Sequence, residues 1–249
     1  MLKLFVKNFK LAFDNIILTA PLIIFISIIS AYINFAKSFD NTFIKALFTI
    51  VTLITIVSAF ACIWFYLVKK FLKLSDKEFV YDKDRVNALK ETLKAIPKGF
   101  SKYFLPFIGI TSAAMLLFLI SYNFFDANIP FYIFQKFVTA DNINSFRGIT
   151  FITVSITAFW GLLWIPEVLY AELNPFKALI YSIKKIIMTF PSSILLYLYI
   201  YILFILLHFA VIFLMGNPFL YFIVLLLYYY FAIYVTTLLF KYYEQKFLG

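Results

Sequence analysis

Cysteine is nearly missing from this sequence: Cys62 stands alone inside an apolar run. An intramolecular disulfide and a cysteine metal cluster are therefore excluded. Histidine is as scarce, with His208 the single one, and one histidine without a cysteine nearby builds no metal site. The six glycines form no phosphate-cradling loop. No Walker loop, HExxH, GxSxG or CxxC occurs, and no pair of carboxylates falls inside an apolar run. We therefore expect no catalytic residues, no cofactor and no metal, and read the chain as a non-enzyme. Charge is the last shortage. Charged residues make up 14% of the chain, where soluble domains carry about a quarter.

What fills the space is apolar: 64% of the 249 residues, with 22% aromatic. Several runs reach the roughly 20 residues that cross a hydrocarbon core about 30 Å thick. The fold class expected is all-α, a polytopic membrane protein of about six transmembrane helices. A single integral membrane domain over residues 1–249 leaves no room for a soluble domain of ordinary size. The six spans are expected over Ile17–Phe35, Phe43–Val68, Tyr103–Phe124, Ile149–Leu169, Ser192–Met215 and Phe219–Phe240. Gly216-Asn217-Pro218 reads as a tight turn joining the last two. The longest outer loop, Phe125–Arg147, carries a candidate half-buried turn over Phe131–Val138.

Three short segments break the apolar pattern with helical periodicity. In Met1–Ile16, Lys3, Lys7, Lys10 and Asp14 form one polar stripe, with Leu4, Phe5, Phe9, Ala12, Phe13 and Ile16 over the rest. In Asp84–Ile96, Val86, Leu89, Leu93 and Ile96 oppose Asn87, Lys90, Glu91 and Lys94. The third follows Asn174, a candidate N-cap, with Pro175 where the first helical residue can spare its amide hydrogen. There Phe176, Leu179, Ile180, Ile183, Ile186, Ile187 and Phe190 share a face, and Lys177, Tyr181, Lys184 and Lys185 lie elsewhere. Basic helices with an apolar face belong at the membrane–water interface. Each is followed by a proline (Pro21, Pro97, Pro191) and a pair of spans. This suggests internal repeats over 1–69, 84–170 and 175–241, three hairpins each preceded by a cytoplasmic amphipathic helix. Such repeats share one orientation, unlike the inverted repeats of many transporters.

The net charge of +10 would suggest nucleic acid in a soluble protein. Here the basic residues flank spans, so anionic lipid headgroups are the expected partner and nucleic acid is not. Lys37, Lys45, Lys136 and Arg147 lie on one side of the expected spans, and the other eighteen of the 22 basic residues on the opposite side. The positive-inside rule then puts both ends of the chain and all three basic helices in the cytoplasm.

Polar groups within spans are costly and so are candidates for function. Glu167 follows Pro166, whose ring frees a carbonyl one turn earlier. The pair could hold a cation or a lipid amine, or the carboxylate could simply pair with Lys184 or Lys185. His208, midway along the fifth span, could relay protons or make one interhelical hydrogen bond. Trp160 and Trp164, one turn apart, are candidates for a stacking surface or for core packing.

The segment Trp160–Phe190 carries Pro166-Glu167, then a small turn, then a basic helix with Ala178 and Ser182 in an Ala-x-x-x-Ser pattern. In this it resembles the membrane domain found with glycerophosphoryl diester phosphodiesterases and its stand-alone bacterial relatives. The ending Thr236–Tyr243 is similar to that family's closing span. The resemblance covers the C-terminal half. It implies a six-span helical domain in a bacterial inner membrane, without the catalytic barrel and without catalytic residues.

Two functions are expected to compete. One is a non-catalytic inner-membrane protein that organises anionic lipid, or assembles with a membrane-protein partner or a second copy. Its contacts would be Lys3, Lys7, Lys10, Lys90, Lys94, Lys177, Lys184 and Lys185. The other is a small-solute or lipid transporter, or a channel, with a polar site at Glu167, Asn174 and His208.

Overall fold

The computed structural model describes residues 2–37, 43–75, 82–127, 154–214 and 216–248, and these form helices joined by short turns. In chain order they are α1 (Leu2–Asp14), α2 (Thr19–Lys37), α3 (Phe43–Ser75), α4 (Asp82–Lys94) and α5 (Ile96–Ala127). After these come α6 (Trp164–Tyr170), α7 (Pro175–Met188), α8 (Phe190–Leu214) and α9 (Pro218–Phe247). Residues 154–160 are also helical and reach α6 through a turn at 161–163. The short polar turn that the sequence suggests over residues 37–42 lies outside the described residues except for Lys37, which ends α2, and the loop turn at 131–138 lies wholly outside them.

Four helices, α3, α5, α8 and α9, are long and apolar enough to cross a membrane. Taken together, α1 and α2 make a fifth candidate, bent by 74°. The chain is thus a multi-pass helical membrane protein. The stretch Val154–Tyr170 is apolar but shorter. The span expected over Ile149–Leu169 therefore remains a shorter, broken helix within the described residues.

Two boundaries differ from the sequence reading, each for a physical reason. Helix α3 runs on past Val68 to Ser75, because Phe71 and Leu72 still bury their side chains in the core while Lys73 is exposed. The prolines expected to end the short helices instead sit inside the next ones. Pro97 and Pro191 are the second residues of α5 and α8. The first turn of a helix has no intrahelical partner for its amides, so proline costs nothing there.

The most extensive helix pair is α3 with α5. Their backbones approach closely at Gly99, where an added Cβ would lie 2.3 Å from the Tyr66 ring. Cys62 Sγ lies 3.7 Å from the Gly99 carbonyl oxygen at the same crossing. At the other edge α1 rests on α9. Asn8 Nδ2 donates to the Tyr234 carbonyl (3.0 Å) and to Thr237 Oγ1 (3.1 Å), while the Tyr230 hydroxyl donates to the Phe9 carbonyl at 2.9 Å. Phe5 stacks on Tyr199 at 4.0 Å. Helix α2 is tied in through Phe25, stacked on Phe60 at 3.6 Å. The buried core lies where the C-terminal ends of α3 and α9 meet the start of α5 and all of α6, around Phe71, Tyr103, Phe107, Leu163, Phe240 and Tyr243.

The three short helices dock alike. Each buries a pair of small or short polar side chains one turn apart: Asn8 and Ala12 in α1, Ala88 and Thr92 in α4, Ala178 and Ser182 in α7. Each leaves large apolar side chains outward, among them Val6 and Phe13, Val86 and Leu93, Phe176 and Ile180. The apolar face read for α7 is accordingly split, with Ile186 inside and Ile187 outside.

Candidate functional site

Helix α6 is seven residues long, and Pro166 lies in its first turn, where the missing donor leaves no gap in the helix. A tight turn follows, closed by the Ala171 and Glu172 amides donating to the Glu167 carbonyl (2.9 and 3.0 Å). Helix α7 then starts on a strong cap. Asn174 Oδ1 accepts from the Phe176 and Lys177 amides at 3.0 and 3.1 Å, and Pro175 takes the first position. Trp164 locks the two helices together, its indole N–H donating to the Pro175 carbonyl at 2.7 Å.

This geometry sets Glu167 against Lys185. The Glu167 side chain is 2% exposed and that of Lys185 23%. Lys185 Nζ donates to Glu167 Oε2 at 2.6 Å and to the Tyr243 hydroxyl at 2.6 Å, and Tyr243 donates to the same Oε2 at 2.7 Å. The three groups close a ring of hydrogen bonds that links α6, α7 and α9. The ammonium also lies over the Tyr243 ring, 4.5 Å from its centroid. A charge taken out of water costs several kcal/mol unless paired with good geometry. Here a carboxylate, an ammonium and a phenol satisfy one another.

A second polar tier lies beside the first. The Tyr170 hydroxyl donates to Glu244 Oε1 at 2.7 Å, and Lys241 Nζ donates to Glu244 Oε2 at 2.9 Å. The Leu169 carbonyl, one of the orphan acceptors at the end of α6, takes hydrogen bonds from Lys69 Nζ and from the Tyr103 hydroxyl (3.2 Å). Tyr242, next along α9, meets Thr189 at the end of α7 and Ser192 and Ser193 at the start of α8 (2.8 to 3.2 Å).

The three residues grouped from the sequence as a polar membrane site are not brought together. Glu167 is buried and bonded as described. Asn174 is an exposed cap. His208 is exposed in α8, stacked 6.2 Å from Phe204, and lies about 27 Å along the helix from Phe190. Of the eight lysines, Lys3, Lys7, Lys10, Lys90, Lys94, Lys177 and Lys184 are exposed, and Lys185 alone turns inward. Trp164 is spent on the α6–α7 lock, and Trp160 packs edge-on against Phe159 at 5.2 Å. Sequence reasoning passed over Tyr243, Tyr170, Tyr103 and Glu244. For Tyr243 and Glu244 the available signal was their position beside Lys241, where an apolar span gives way to charge; Tyr103 and Tyr170 carried none.

Two grooves are apolar. One of about 350 Å³ lies between α1, α8 and α9, lined by Phe9, Tyr199, Leu203 and Leu227 among others. The other, about 270 Å³, lies between α3 and α5. Among the described residues, no three His, Cys, Asp or Glu side chains come close enough to hold a metal ion.

Fold and site together define a class, a multi-pass helical membrane protein braced by ion-paired polar contacts at one end of its bundle. Comparison with protein-family models, with curated proteins and with solved structures finds no match.

Proposed function

We propose that this protein is a non-catalytic component of a bacterial inner membrane that holds anionic lipid, and through it membrane partners or further copies, on three basic helices. The observation that carries this reading is the shared docking pattern of α1, α4 and α7. In each, small side chains face the bundle while lysines other than Lys185 and most of the large apolar side chains named above face away. Apolar side chains next to exposed lysines suit the boundary between acyl chains and anionic headgroups.

In this reading α1, α4 and α7 lie on the cytoplasmic leaflet, and the chain forms three hairpins of six spans with repeats over 1–69, 84–170 and 175–241. Support for the repeats comes from matched positions: Asn8, Ala88 and Ala178 are all buried, whereas Val6, Val86 and Phe176 are all exposed. The likeness to the membrane domain associated with glycerophosphoryl diester phosphodiesterases belongs to the same reading and brings no hydrolytic chemistry. The transporter reading draws on Glu167, but the carboxylate oxygen facing α7 is already engaged by Lys185 and Tyr243.

The test is reconstitution of the purified chain into bilayers of phosphatidylcholine with and without phosphatidylglycerol. Wild type is expected to enrich phosphatidylglycerol around itself. A variant with Lys3, Lys7, Lys10, Lys90, Lys94, Lys177 and Lys184 changed to glutamine is expected to lose that enrichment. Equal enrichment by both would overturn the reading.

A further inference from the structure

Four lysines at the junction of α3 and α5 are absent from the set just considered. Lys69 and Lys70 are adjacent on α3, Lys73 comes one turn later, and Lys102 comes from α5. Their charges repel: Lys70, Lys73 and Lys102 all lie close enough to act on the Lys69 ammonium. Tyrosine faces hold them together. Lys69 lies over the Tyr170 ring at 4.3 Å and the Tyr103 ring at 5.9 Å. Lys102 shares the Tyr103 ring at 5.2 Å, and Lys70 lies over Tyr66 at 5.8 Å. Tyr66 and Tyr103 are themselves 5.7 Å apart.

A tyrosine face attracts a cation without cancelling its charge. Among the described residues, the carboxylate that acts on Lys69 is Glu244, and its two oxygens are taken by Tyr170 and Lys241. Among the described residues, the cluster thus sets four lysines against one carboxylate that Lys241 already shares. Its height matters too. Lys73 closes the apolar window of α3, and that of α5 opens at Ile96, so the lysines stand where acyl chains give way to headgroups.

We infer that Lys69, Lys70, Lys73 and Lys102 form a binding site for the phosphate of an anionic phospholipid. Lys69 anchors the site through the Leu169 carbonyl, and the other three supply donors to the phosphate oxygens. This rests on the anionic-lipid reading above and locates a specific site on lysines outside the three basic helices.

The test is titration of phosphatidylglycerol into the detergent-solubilised full chain, with bound lipid read by native mass spectrometry. Parallel arms use phosphatidylcholine and inorganic phosphate. Phosphatidylglycerol is expected to bind, phosphatidylcholine to bind far more weakly, and millimolar inorganic phosphate not to displace the lipid. Lys70→Gln/Lys73→Gln/Lys102→Gln keeps the Lys69 anchor and is expected to weaken binding on the order of a hundredfold, about fivefold per lysine. Should that variant not fold, Lys73→Gln alone, an exposed position, is expected to give the fivefold loss. Unchanged binding in the triple variant, or in Lys73→Gln where only that folds, would overturn the site. If the seven-lysine variant of the short helices then still loses lipid, the broader reading stands without it; if both variants keep lipid, both readings fall. Displacement by inorganic phosphate would overturn a lipid as the ligand.

Discussion

Lys184 and Lys185 are neighbours in sequence, but successive helical residues point about 100° apart, and the two do different work. Lys184 stays exposed, while Lys185 reaches Glu167 and Tyr243. Removing one partner of a buried ion pair costs about 3–5 kcal/mol, because the other charge is left buried. Lys185 keeps some contact with solvent, so Lys185→Ala should cost about 3 kcal/mol, the lower end. Lys184→Ala should stay within about 0.5 kcal/mol, as exposed positions do. Thermal unfolding in detergent micelles separates the two, and equal melting temperatures would show that the pair does not brace α6 against α7. Tyr243→Phe removes a hydrogen bond to a charged group and should cost about 2 kcal/mol in the same assay. The Glu–Lys pairing was legible because only a tight turn separates the two helices. Tyr243 was not: it lies 76 positions from Glu167, and nothing in a chain with 18 tyrosines marks which one closes the ring.

Among elements, the α3–α5 pair depends on how closely two backbones can approach. Gly99→Ala would push a methyl group into the Tyr66 ring, and such overpacking costs typically about 1–3 kcal/mol. Gly216 offers the contrast, since an added Cβ there meets nothing within 4 Å. Gly216→Ala should be neutral or stabilise by up to about 1 kcal/mol through the unfolded chain. A loss for Gly216→Ala as large as that for Gly99→Ala would refute the crossing geometry. The short helices teach a related lesson about legibility. Their existence, length and lysine positions were readable from periodicity, but which apolar residues face inward was not. In a membrane the bundle interior and the lipid are equally apolar, so hydrophobicity does not sort them, and close packing selects small residues instead. That is why Ala88 and Thr92 face the bundle while Val86 and Leu93 do not.

For the molecule as a whole, the long apolar helices α3, α5, α8 and α9 were plain in the sequence because each run exceeds what a soluble core needs. The region before α6 was not, because its apolar run hides a break at 161–163. Sidedness can be tested directly, since the lone Cys62 is wholly buried and leaves introduced thiols as the reporters. Lys7→Cys, Lys90→Cys and Lys184→Cys should react with an impermeant maleimide only in inside-out vesicles. Gly216→Cys should react only in intact spheroplasts. Reaction of any of the first three from outside would refute a common cytoplasmic face for the basic helices. The docking of α1 on α9 also carries a consequence for biosynthesis. Asn8 is translated 229 positions before Thr237, so at about 5–20 residues per second its seat follows tens of seconds later. Until then the nascent helix lacks its α9 seat, and a message cut short after Met215 would leave Asn8 without its Tyr234 and Thr237 partners.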